Sequence, residues 1–174
     1  MKEMARYGFI LALICFVAAG LLSGVNSLTK NKIIAQASAE ENASLKDVFP
    51  QADNFKEVKS DGSILYYQAM DNNGEVIGAA FKVEAKGYSS TIVTMAGMFL
   101  DGKINAIKVL SQNETPGLGS QVSENKFIGQ FSGRNIEDIA GVSAVTGATI
   151  SSRAVINSVD KKAKEVRELL RNAK

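Results

Sequence analysis

A chain of 174 residues has room for one globular domain and an appendage. Twenty Lys and Arg against 18 Asp and Glu leave a formal net charge of +2, from which no basic field for nucleic acid follows. There is no histidine and Cys15 is the lone cysteine, which excludes histidine-ligated zinc or haem, a Ser-His-Asp triad and a disulfide framework; redox or catalytic work would rest on an organic cofactor or a carboxylate.

Residues 7–29, "YGFILALICFVAAGLLSGVNSLT", carry no charge. A helix of about 20 apolar residues spans a bilayer core, whereas the apolar region of a cleaved signal peptide runs to about 7–15. The cleavage-like "AQA" and "ASA" at Ala35–Ala39 are set off from the run by Lys30 and Lys32, and Leu13 and Ile14 before Cys15 do not suit a lipoprotein signal. An uncleaved single span over 7–29 is therefore expected, with 1–6 as a cytoplasmic tail. The amino terminus, Lys2 and Arg6 before the span, against Lys30 and Lys32 after it, lean towards the amino terminus inside. That puts the bulk of the chain on the outer (periplasmic or extracellular) face of the cytoplasmic membrane. Gly20 and Gly24 form a small-residue pair that either docks against other membrane subunits or reflects the usual glycine content of spans.

Residues 30–50 read as a juxtamembrane helical linker, with a short helix stopped by Pro50. From 51 to 174 the pattern becomes a domain. "ILYYQAMD" and "VIGAAFKVEA" flank an Asn-Gly turn, and "TIVTMAGMFL" and "KINAIKVLSQ" flank Asp-Gly, which predicts two hairpins. A last amphipathic helix is predicted over Ser151–Asn172, with Val155, Val159, Ala163, Val166 and Leu170 facing the core. The fold class is α+β: an antiparallel sheet of two hairpins with flanking helices, preceded by one transmembrane helix.

Three loops interrupt the pattern: "KGYSS" at Lys86–Ser90, "NETPGLGS" at Asn113–Ser120, and "SAVTGAT" before the last helix. Thr146-Gly147-Ala148-Thr149 offers small side chains and two hydroxyls at a helix start, where free N–H groups and the helix dipole attract an anion such as phosphate. It can equally be a plain turn capped by Ser151 or Ser152. No pair of carboxylates has a spacing suited to acid–base catalysis, so no catalytic residue and no metal ligand is assigned.

"TGATISS" resembles the flavinylation motif of the membrane-anchored FMN-binding subunits of ion-translocating oxidoreductases, and "ETPGLG" at Glu114–Gly119 resembles a second signature of that family. The likeness, which with the anchor covers nearly the whole chain, is to the G subunit of the Rnf complex; the C subunit of the sodium-translocating NADH:quinone reductase is similar and usually longer. The resemblance implies an FMN-binding domain in which a flavin transferase links FMN through a phosphoester to Thr149. It implies that Thr146, Gly147 and Ala148 let the phosphate approach the backbone, that Thr115 bonds the flavin's polar edge, and that Leu118 covers a ring face. Pro116, Gly117 and Gly119 would fix the loop, Glu114 would brace it, and Tyr88 would be a flavin contact or a partly buried sheet aromatic. The subunit would relay electrons, without being a catalyst alone, in a complex coupling ferredoxin and NAD electron transfer to Na⁺ or H⁺ translocation. The family motif begins with aspartate where this chain has Ser143, a departure that bears on recognition by the transferase. Two other readings are a stand-alone anchored FMN carrier and an anchored binding module whose turn is only a helix cap.

Overall fold

The computed structural model describes the backbone of residues 2–60 and 62–172; the side chains of Lys2, Glu3, Ala5, Asn31, Ile34 and Ala37 also lie outside the described set, so the charge count before the span rests partly on undescribed groups. Contacts gather the chain into two units, one through Glu41 and one from Asn42 onward.

Helix α1 (Lys2–Val48) supplies the described residues of the first unit. Its stretch Arg6–Lys30 is long and apolar enough to cross a membrane, with a mean hydropathy of 2.5 and no buried residue. Phe9, Phe16, Leu21, Leu22 and Leu28 are all exposed, a surface suited to lipid rather than water. A separate short helix before Pro50 is not seen. Between Lys30 and Val48 there is no Gly or Pro to break the helix, and Pro50 follows only after its end.

The second unit is built on five strands, β1 (Asn54–Ser60), β2 (Ser63–Met70), β3 (Val76–Lys86), β4 (Thr91–Phe99) and β5 (Ile104–Ser111). They lie in sequence order and every neighbouring pair is antiparallel. The two expected hairpins are β2–β3 and β4–β5, but β3 and β4 also pair directly, from Gly78↔Phe99 to Lys86↔Thr91, so the sheet is one meander. Strand β1 was not foreseen. Its sequence, "NFKEVKS", holds only Phe55 and Val58 as apolar residues and lacks alternation; as a charged edge strand, largely exposed, it has no need of one.

Both sheet faces are covered. After three short 3₁₀ segments and helix α2 (Asn125–Ile128), helix α3 (Thr149–Asn172) packs on β3 and β4. Its stripe of Val155, Val159, Ala163, Val166 and Leu170 is buried as the spacing predicted, and it shares a core with Phe81, Ile92, Met98 and Ile104. The opposite face receives the end of α1 and the turn after it. Leu45 and Val48 pack with Tyr67 and Met95, and Phe49 packs with Ala52 and Ala69. Phe49 also meets Phe99 edge-on at 4.9 Å, and the Asn105 amide donates to the Val48 carbonyl at 2.7 Å. Interior strand β4 is accordingly apolar on both sides.

Phe49 is fully buried, so Phe49→Ala should destabilise the domain by about 3–5 kcal/mol through lost burial and a residual cavity. Urea unfolding of the chain from Asn42 onward, with and without the substitution, measures this; a loss under about 1 kcal/mol would show that the second core is dispensable.

Candidate functional site

The two loop motifs make the same kind of turn. In Thr115-Pro116-Gly117-Leu118 the Leu118 amide donates to the Thr115 carbonyl at 3.1 Å, and Gly117 has φ +75°. In Val145-Thr146-Gly147-Ala148 the Ala148 amide donates to the Val145 carbonyl at 3.0 Å, and Gly147 has φ +82°. A positive φ at the third position is the demand of a type II turn, which glycine meets without strain. The turns are neighbours in space: a Cβ added at Gly147 would stand 3.3 Å from Leu118 Cδ2.

Between them opens a cavity of about 410 Å³, within the range of small-molecule sites. Of the residues expected at a site, Tyr88, Thr115, Leu118, Gly147, Ala148 and Thr149 all line it, joined by Glu114, Gly119, Ile150 and Ser151. Gly117 shapes its turn from outside the lining. Thr146 lies on a second pocket of about 210 Å³ together with Ser143, Gln130 and Phe127. Tyr88 is 71% exposed in the β3–β4 loop, so it is not a partly buried sheet aromatic. With Leu118 and Ile150, also exposed, it gives the cavity apolar surfaces around its opening.

Neither serine acts as the helix cap. Helix α3 already begins at Thr149, and Ser151 and Ser152 are buried in its first turn. Ser151 Oγ donates to Glu114 Oε2 at 2.6 Å, while Ser152 Oγ accepts from the Val145 amide at 3.0 Å and so holds the preceding turn. The amides at the start of α3 lack intrahelical acceptors by construction and keep their attraction for an anion.

Glu114 is the residue whose reach the sequence concealed. Its side chain is buried and accepts five hydrogen bonds: from the amides of Tyr88 (3.1 Å), Ser89 (3.0 Å) and Ser90 (2.8 Å), and from the hydroxyls of Ser90 (3.2 Å) and Ser151 (2.6 Å). It therefore ties the β3–β4 loop to its own loop and to α3. Burial pushes its carboxyl upward, but the bonds from Ser151, Ser90 and Ser89 outweigh that and hold it below the ordinary value of 4.5. The segments it joins lie far apart in the chain, so no local spacing could have pointed to the contact. Among the described residues no cluster of His, Cys, Asp or Glu could hold a metal ion.

Residues 87–164 match the family described as FMN-binding domain, and residues 1–48 match the RnfG N-terminal region. The G subunit of the ion-translocating oxidoreductase complex of Photorhabdus laumondii is 31% identical, over 94% of this chain and 90% of its own length. Its counterpart in Methanosarcina acetivorans is also 31% identical, over 91% and 92%. This chain belongs to that G-subunit family. Another relative, the G subunit of the proton-translocating ferredoxin:NAD(+) oxidoreductase complex of Clostridium ljungdahlii, is 30% identical over 90% of this chain and 88% of its own. The solved NqrC of Shewanella oneidensis shares the fold at a TM-score of 0.51 and 18% identity, covering 70% of this chain and 74% of that one. In this family member the FMN-binding match begins at Gly87 and so takes in both motif turns, Glu114 and the start of α3.

Glu114→Ala strands three amides and should cost about 3 kcal/mol or more. Because the folded carboxyl lies below its ordinary value, its stabilisation is complete above about pH 4.5 and is lost as pH falls through the lower folded value. Chemical denaturation at falling pH should therefore show the wild-type advantage over the variant shrinking in acid. An advantage that grows on acidification would refute the assignment.

Proposed function

We propose that this chain is the membrane-anchored flavoprotein subunit of an Rnf-type complex. In this reading it relays electrons through FMN held as a phosphoester on Thr149, while the complex couples ferredoxin and NAD electron transfer to Na⁺ or H⁺ translocation. One observation carries the reading. Two turns remote in sequence line a single cavity, with Thr149 exposed on its edge at the start of α3.

The residues present suit the group. FMN would bring the redox-active ring, and the protein's part is to hold and orient it. Thr149 supplies the oxygen of the tether, and the first amides of α3 face the phosphate charge. Gly147 and Ala148 leave room for that phosphate beside the backbone. Leu118, Ile150 and Tyr88 offer apolar surface to the ring, and Thr115 offers a hydroxyl to its polar edge. Thr146 and Gly117 contribute through the two turns.

A flavin transferase would make the link, reaching Thr149 from solvent. Ser143 stands where the family aspartate would meet that enzyme, and Gln130 holds it through both backbone groups: the Ser143 amide donates to Oε1 at 3.0 Å, and Nε2 donates to the Ser143 carbonyl at 3.3 Å. The span would set the domain on the outer face of the cytoplasmic membrane, amino terminus inside. Gly20 and Gly24, with open space at each Cβ position, would admit a helix of another subunit.

Thr149→Val keeps the β-branched shape and removes the tether oxygen. Co-expressed with a flavin transferase, it should lose all covalent FMN, while Thr146→Val, altered on the far pocket, should keep it. Intact mass and fluorescence on denaturing gels read both. Covalent flavin surviving in Thr149→Val would move the tether to another hydroxyl.

A further inference from the structure

The cavity wall carries one fixed charge. Of the ten residues that line it, Glu114 alone is charged at neutral pH, and Tyr88 is the other titratable one. The segments packed against the carboxylate add little. The β3–β4 loop brings Lys86 and Tyr88, the 3₁₀ turn Gly119–Ser123 brings no ionisable group, and the start of α3 brings Arg153. Neither Lys86 nor Arg153 lines the cavity. The donors that hold the carboxylate are neutral amides and hydroxyls, and among the described residues no lysine or arginine forms an ion pair with it.

We propose that Glu114 is a redox-tuning residue of the flavin site, its carboxylate opposing negative charge on reduced flavin and so favouring uptake of the second proton. This rests on the FMN reading above. Two-electron reduction leaves a flavin with one net negative charge when one proton from water accompanies the electrons, and with none when two do. A carboxylate in the same cavity raises the free energy of the charged product only. It thereby lowers the midpoint potential wherever one proton is taken up, and raises the pH at which the second is lost. A unit charge across a site of this size shifts such an equilibrium on the order of tenfold at the effective dielectric of a protein surface. Held below the ordinary carboxyl value, Glu114 stays ionised throughout the range where this matters.

The test is a redox titration of the full-length protein in detergent, flavin-loaded by co-expression with a flavin transferase, across about pH 5.5–9. Glu114→Gln removes the charge and keeps the shape. Above the break in slope its midpoint should rise by the equivalent of about tenfold, about 30 mV for a two-electron couple, and the break itself should move to lower pH. Ser151→Ala keeps the charge and removes the hydroxyl dipole whose positive end faces Glu114 Oε2 at 2.6 Å, so more of the carboxylate's field reaches the cavity. Its midpoint should fall and its break should move to higher pH. A midpoint unchanged in Glu114→Gln, or raised in Ser151→Ala as in Glu114→Gln, overturns the proposal. Should Glu114→Gln not fold, Ser151→Ala decides alone, and no change or a rise there overturns it. Wild type that carries no flavin overturns the FMN reading with it, whereas loaded proteins of equal potential overturn only this inference.

Discussion

One buried carboxylate determines where the cavity walls stand. Glu114 gathers three amides and two hydroxyls from the 88–90 loop and from Ser151, segments that nothing covalent brings together. Removing a carboxylate from water costs several kcal/mol unless its lone pairs are met, and here they are. The packing around it is correspondingly tight. A Cβ at Gly119 would come within 2.7 Å of Glu114 Cβ, so the glycine directly after the Thr115–Leu118 turn is demanded by proximity. The site is thus held by a polar node, and its shape follows from where that node's donors sit.

The sheet explains why those donors are within reach. In an antiparallel meander the end of β3, the start of β4 and the end of β5 fall at the same end of the sheet, as the pairs Lys86↔Thr91 and Val93↔Ser111 record. The loops carrying Ser89 and Glu114 therefore leave the sheet side by side. The long connection from there to α3 is pinned by its own aromatics, with Phe127 and Phe131 buried edge-on at 5.6 Å and Ile136, Ile139 and Val142 buried after them. That anchoring delivers the Val145–Ala148 turn against Leu118.

What could be read in the sequence was what local chemistry encodes. The uncharged run, the two glycine turns of the hairpins and the stripe of α3 each declare themselves within one continuous stretch of chain, as periodicity and turn preference require. Strand β1 could not be read, because an edge strand with lysines outward has no apolar alternation to show. The unbroken helix to Val48 was missed because Ser, Asn and Lys between Ser38 and Lys46 look like a linker until the sheet supplies Tyr67 and Met95 for Leu45 and Val48 to cover. Glu114 lay beyond reach for a different reason. A loop glutamate is ordinarily solvated, and its burial here is created by segments that meet only in the folded chain. Ile150 and Ser151 likewise joined the cavity because α3 starts earlier than its apolar stripe suggests.

The same electrostatics bear on why a tether suits this site. A phosphate monoester carries about −1.5 to −2 charges at neutral pH. Among the residues lining the cavity it would find no lysine or arginine, and it would share the space with an ionised glutamate. The helix start offers it favourable amides, yet such an interaction contributes only about 0.3–1 kcal/mol at an exposed terminus. Loose phosphate binding would therefore hold FMN weakly, however well Leu118 and Ile150 cover its ring. In the proposed reading, esterification to Thr149 would change both sides of that balance. It would convert the monoester to a diester with a single charge, which lessens the repulsion from Glu114, and it would put a bond where the cavity lining offers no cation. On this view the carboxylate that builds the cavity also makes a merely bound phosphate a poor anchor, which is the physical ground on which the proposed covalent link would suit this site.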